Sequence, residues 1–224
     1  MPRMNRFAAP ALMACAALLL AACSTMGATS KVSDGLVVPS GMPSGEIFGS
    51  IVRPTDRGAA GPTYMRYDLY FRRIGSKDGG FVAMTDTIFD TKEGWDLRRP
   101  DVVGKSFRQV LPPGDYEIYN FDMSSDTGQV SMRFWSKQPF SVKFHVGAGE
   151  AVYLGRFIAT GVWGKGLFGL RRPDGGYFRL VEAMNEDLAA ASAKGTPISR
   201  DRVRAADLAI QDHEAAKQRV LGSG

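Results

Sequence analysis

The segment YMRYDLYFRR alternates with a period of two: Met65, Tyr67, Leu69 and Phe71 fall on one face, Arg66, Asp68, Tyr70 and Arg72 on the other. That period predicts a strand with one face buried and the other in water. FSVKFHV repeats it, with Phe140, Val142, Phe144 and Val146 inward and Ser141, Lys143 and His145 outward. Apolar runs over 46–53, 80–89, 105–111, 115–123, 129–135, 150–160, 166–172 and 176–183 read as further strands. Between them, Pro112-Pro113-Gly114-Asp115 and Pro173-Asp174-Gly175-Gly176 carry what tight turns require, since proline fixes φ and glycine accepts positive φ. Many short strands at close spacing predict a mainly β domain over 46–184, an antiparallel β-sandwich or barrel.

The pattern changes after Met184. Asn185 suits a helix N-cap, Glu186 and Asp187 suit the first turn, LAAASA propagates, and Lys194-Gly195 stops the helix. A second helix is expected from Ser199 to about Arg219, with Val203, Ala206, Ile210, Lys217 and Val220 near one face. That face is too thin and alanine-rich for a strong membrane-binding helix, so 185–224 reads as a helical segment packing on the β domain or a partner.

At the other end, Arg3 and Arg6 precede an uncharged apolar run from Phe7 to Ala22, the layout of a signal peptide over 1–22. About sixteen residues of helix rise only about 24 Å, short of the roughly 30 Å hydrocarbon core, and Pro10 interrupts them. Leu20-Ala21-Ala22-Cys23 follows, and this LAAC resembles the lipobox of bacterial lipoproteins. The resemblance implies cleavage before Cys23, a diacylglycerol on its thiol and, with Ser24 next, export to the outer membrane with the protein facing the periplasm. Plain secretion with an incidental cysteine is the alternative. Two or three acyl chains hold a protein stably on a bilayer where one is marginal. Residues 23–45, rich in Ser, Gly and Pro after the cysteine, read as the lipidated N-terminus and a flexible tether.

Charge narrows the partners. The formal net charge is +5, and removal of Arg3 and Arg6 with the signal lowers it to +3, too little and too dispersed for a nucleic-acid stripe. The pairs Arg72-Arg73, Arg98-Arg99 and Arg171-Arg172 read as solvated strand ends or as contacts to lipid phosphates. Cys15 leaves with the signal, so an acylated Cys23 leaves no free thiol and no internal disulfide.

SFRQVLPPGDYEIYNF, Ser106 to Phe121, resembles the strand-turn-strand signature of transthyretin-like and carboxypeptidase-regulatory-like sandwiches. FSVKFHVGAGEAVYLGRF is similar to a segment of small bacterial lipoproteins. The resemblance implies an Ig-like or transthyretin-like sandwich, to which the signals after Met184 add one or two C-terminal helices. It places Tyr116 in the core or at a corner, and it implies no particular activity.

Chemistry is sparse. Gly164-Lys165-Gly166-Leu167-Phe168-Gly169 reads G-x-G-x-x-G, yet no helix is expected to open after it, so a hairpin is the reading and no cofactor is expected. DMSSDTG, Asp122 to Gly128, departs from a calcium loop: glycine comes one position late, and Arg133 stands where glutamate belongs. His145 and His213 are the only histidines, and neither joins a metal-binding or nucleophile motif. GVWGKGLFGL is the conspicuous segment: Val162, Trp163, Leu167 and Phe168 either fill the core from a glycine-bent hairpin or form an exposed patch for a partner or membrane. Taken together, the residues lead to a non-enzymatic, membrane-anchored envelope lipoprotein acting as an accessory module with an envelope protein partner. A binder of a small envelope ligand, using Tyr64, Tyr70 and Trp95 as an aromatic rim, and an envelope hydrolase are the alternatives.

Overall fold

The structure is a computed structural model that describes residues 30–56, 61–86, 94–126, 128, 131–137, 139–206 and 220–221. The signal segment, Cys23, His213 and 207–219 of the expected second helix lie outside the described residues. The chain is mainly β, with two sheets and one α-helix among the described residues. Among them, no helix is long and apolar enough to cross a membrane.

The first sheet holds β1 (Ser30–Val32), β4 (Gly79–Thr85), β3 (Arg66–Arg73), β7 (Gly114–Asp126) and β8 (Ser131–Trp135) in that order, and β9 (Val142–Val146) pairs with the first half of β7. The second runs β13 (Val220–Leu221), β11 (Arg171–Val181), β10 (Ala151–Lys165), β2 (Gly45–Pro54), β6 (Val102–Leu111), β5 (Leu97–Arg98), with β12 (Val203–Ala205) also on β10. The expected purely antiparallel arrangement needs correction, because β10 pairs in parallel with both β2 and β12. The chain reaches β10 from β9 at the end of the molecule where β2 also starts, so the two strands run the same way.

The core lies between the sheets. The alternations read from sequence place Tyr67, Leu69 and Phe71 of β3 and Val142, Phe144 and Val146 of β9 in it, against Ile47, Ile51, Phe107, Phe157 and Phe178 of the second sheet. Tyr116 is fully buried, stacks on Phe144 at 5.5 Å between ring centroids, and donates its hydroxyl proton to the Pro112 carbonyl at 2.7 Å. Desolvation raises its pKa.

The outer face of the second sheet is covered by α1 (Met184–Ser192), so β2 is buried on both sides. Phe48, Ala151 and Tyr153 meet Ala191 and Ile198 there. The helix begins one residue before Asn185, with Ala183 at the N-cap, and Glu182 Oε1 accepts from the Met184 amide at 2.9 Å. Asn185 instead accepts from Arg200 at 2.7 Å.

Two further expectations change. The tether is not flexible through residue 45: β1 pairs with β4, and Leu36 is fully buried in the core. The second helix does not start at Ser199. Arg200–Arg202 form a single 3-10 turn, and Val203–Ala205 are strand. The reason is an open edge: β11 pairs with β10 only from Arg156 onward, leaving Ala151–Tyr153 with unsatisfied backbone groups that β12 takes up.

Gly161 of β10 crosses the backbone of Gly61-Pro62 so closely that an added Cβ would stand 2.0 Å from the Pro62 carbonyl oxygen. Neither backbone has room to yield. Gly161→Ala is therefore expected to destabilise by about 1–3 kcal/mol, measured as a lower urea midpoint with unchanged m-value.

Candidate functional site

β10 is fifteen residues long, and its last pairing with β2 is Ile158 on Val52. Beyond that point its partner is β11, with a bulge between Gly161 and Trp163, so the two strands leave the body as a two-stranded arm. Toward its tip the ribbon leaves its apolar side chains in solvent. Trp163 is 37% exposed, Leu170 70% and Phe168 98%. At the tip the Gly166 amide donates to the Leu170 carbonyl at 2.7 Å, and Phe168 takes a left-handed conformation, φ 60° and ψ 23°. Side chains other than glycine or asparagine pay roughly 1–2 kcal/mol there. The sequence placed a strand over 166–172 and a turn at Pro173-Asp174-Gly175-Gly176. The reversal in fact lies at 166–170, and Pro173 pairs opposite Trp163 within β11.

This arm gathers Val162, Trp163 and Phe168 of the conspicuous segment, with Val162 also exposed and Leu167 in the 3-10 turn at the tip. Val162, Trp163 and Phe168 stand outside the core, so the core-filling hairpin does not form. Basic residues flank them: Lys165 and Arg171 are register partners, Arg172 follows, and the Arg171 guanidinium lies 5.7 Å from the Trp163 ring centroid. Asp174, 3.4 Å from Arg172, is the one carboxylate between Gly161 and Gly176.

The proposed aromatic rim is not assembled. Tyr64 is buried, with its hydroxyl donating to the Gly175 carbonyl at 2.6 Å and its pKa pushed up to about 12 chiefly by burial. Trp95 packs against the core beneath the Arg53 guanidinium, while Tyr70 lies on the outer face of the first sheet beside Phe81. Asp122 and Asp126 belong to β7, and the carboxylate of Asp122 is held by Arg133. Among the described residues no three His, Cys, Asp or Glu side chains cluster to hold a metal ion.

Two clefts bear on the hydrolase alternative. One of about 620 Å³ opens beside the first turn of α1 over Arg99, Arg156, Glu186 and Arg200. Its guanidiniums are committed: Arg99 pairs with Glu186, Arg156 with Glu186 at 3.0 Å and Asp187 at 2.6 Å, and Arg200 donates to Asn185. The other, about 480 Å³, contains His145 with Nδ1 2.8 Å from Asp115 Oδ1, plus Lys143, Glu150 and Arg204. The His–Asp pair can orient a proton, but no hydroxyl or thiol side chain is among the described residues lining that cleft.

Sequence reading missed the buried polar layer under α1. Arg156 is 5% exposed and Asp187 0%; Asp187 also accepts from the Tyr153 hydroxyl at 2.9 Å, and the Arg156 Nε lies 3.3 Å from Ser50 Oγ. Burial raises the Asp187 pKa against the opposing pull of Arg156. The available signal was an arginine in the middle of an otherwise apolar run, VYLGRFIA.

No family model matches the chain, and no curated protein matches it. Among solved structures, a leucine-rich repeat protein from Bacteroides thetaiotaomicron is similar at 15% identity with a TM-score of 0.31. The match covers 52% of this chain and spans 14% of that protein's length. A likeness at that level assigns neither fold nor function.

Proposed function

We propose that this chain is a lipid-anchored accessory module of a bacterial envelope, exported by residues 1–22, held at Cys23 in the outer membrane facing the periplasm, and acting by contact. The observation that carries the reading is the arm: apolar side chains held out on a two-stranded ribbon, where they contribute nothing to the core. Isolated surface apolar residues are ordinary, but a cluster raised clear of the body is a contact element. The domain reads as a transthyretin-like sandwich, supported by the Tyr116 hydroxyl on Pro112, an arrangement akin to a tyrosine corner. The parallel pairing of β10 with β2 is its departure from that pattern.

The anchor is tested by intact mass and membrane fractionation of wild type and Cys23→Ala. The wild-type mass is expected to carry the acyl groups, and the variant is expected to lose them and the stable membrane hold. Identical masses with both proteins soluble would remove the anchor from the proposal.

A further inference from the structure

We infer that the arm's occupant is an anionic lipid surface, with Phe168 and Leu170 entering the bilayer and Lys165, Arg171 and Arg172 meeting phosphate headgroups. The inference rests on the proposed lipid anchor and contact arm and names what the arm contacts. Three kinds of observation carry it: the order of chemistries along the arm, its charge, and the direction in which the chain arrives from Cys23.

The chemistry is layered in the order a bilayer presents. Outermost stand Phe168 and Leu170, largely exposed, without a protein surface to cover them. One step back are Lys165 and Arg171, opposite each other, with Arg172 beside them, all exposed. Behind them Trp163, 37% exposed, lies beneath the Arg171 guanidinium, at the level where amphipathic aromatic rings settle at a membrane interface. With Asp174 as its one carboxylate, the arm carries net charge +2, the sign that complements anionic headgroups.

Direction and length agree. β1 runs antiparallel to β4, with Ser30 opposite Val82 and Val32 opposite Gly80, so the chain enters β1 from the end of the molecule that bears the arm. Val82 lies two residues below Met84, which opposes Tyr67 and through it Met123, whose sulfur lies against Gly176 at the arm's base. At about 3.3 Å per strand residue the tip stands roughly 25 Å beyond Ser30. Six residues lie between Cys23 and Ser30, and the seven steps from one Cα to the other reach at most about 25 Å. An acylated Cys23 and the Phe168 ring can therefore occupy one bilayer, the lipid holding the domain close and the arm fixing which face it turns.

The test uses the full acylated protein reconstituted into phosphatidylcholine vesicles with and without phosphatidylglycerol, the acyl chains brominated. Phe168→Trp adds a reporter whose emission is read as the increment over wild type. The expected result is a blue-shifted increment largely quenched by the brominated chains when phosphatidylglycerol is present. Changing Lys165, Arg171 and Arg172 to Gln is expected to weaken insertion about fivefold per residue. An unquenched, water-like increment in both vesicle types, with the melting temperature unchanged, overturns the inference. A photo-crosslinking amino acid at position 168 in cells then separates the failures. A defined protein adduct keeps the arm as contact element with a protein partner, whereas the absence of both quenching and adduct removes the contact reading as well.

Discussion

Arg156→Ala is expected to destabilise the domain by about 3–5 kcal/mol, the range for removing one member of a buried ion pair. At roughly 2–4 °C per kcal/mol for a domain of this size, the melting temperature falls by roughly 6–20 °C. The loss does not come from the charge attraction alone. Asp187 is fully buried between α1 and the second sheet, where the Arg156 Nε and Nη2 donate to its Oδ1 at 3.1 and 2.6 Å. Truncating the arginine leaves that carboxylate desolvated and short of its charged partner, although the Tyr153 hydroxyl still donates to it at 2.9 Å.

The sign of the pH dependence follows. Burial already raises the Asp187 pKa above its unfolded value, and Arg156 opposes that rise. Without the arginine the pKa rises further, so the protonated form is the one the folded state favours. A raised pKa contributes stability that is present below the unfolded value and lost as pH rises through the folded one. The deficit of the variant is therefore smallest in acid and grows toward neutrality. Arg156→Met combined with Asp187→Leu is expected to recover most of it, since a well-packed apolar pair can replace a buried ion pair. A single variant that melts with wild type at every pH would show that the pair contributes no net stability.

The second large effect is Phe157→Ala, expected to cost about 3–5 kcal/mol. The ring is fully buried, with its centroid 6.4 Å from those of Phe107 and Phe178, and removing it opens a cavity between the sheets that close neighbours cannot fill. Phe168→Ala is the control from the same hairpin: the ring is 98% exposed, and the melting temperature is expected to stay within about 1–2 °C of wild type. Thermal unfolding followed by circular dichroism reads both. A comparable loss from Phe168→Ala would mean that the tip packs on the body, and the contact role of the arm would fall with it.

Strand positions were legible because burial of one face imposes a period of two that any reader of the chain can count. Tyr67, Leu69, Phe71, Val142, Phe144 and Val146 face the core as that count requires. Asp68 marks its limit: the count assigns it to water, yet it is buried on the outer face of the first sheet beside Arg66, with its pKa raised chiefly by desolvation. Burial of a residue depends on what covers its face, and the alternation names only the face.

The same distinction separates the candidate site from its surroundings. GVWGKGLFGL stood out by composition, but Val162, Trp163, Phe168 and Leu170 lie outside because β10 outruns β2 after Ile158, a difference in strand length that no local window contains. The strand Val203–Ala205 was likewise invisible, since the vacancy it fills on β10 is created by where β11 stops pairing. What the sequence by itself determined is the set of half-buried strands, their turns at Pro112-Pro113-Gly114, and the helix after Met184, all products of spacing within a few residues. Which strands pair, where a sheet ends, and therefore which apolar side chains are left in solvent were decided by tertiary structure, because those outcomes depend on backbone partners far apart in the chain.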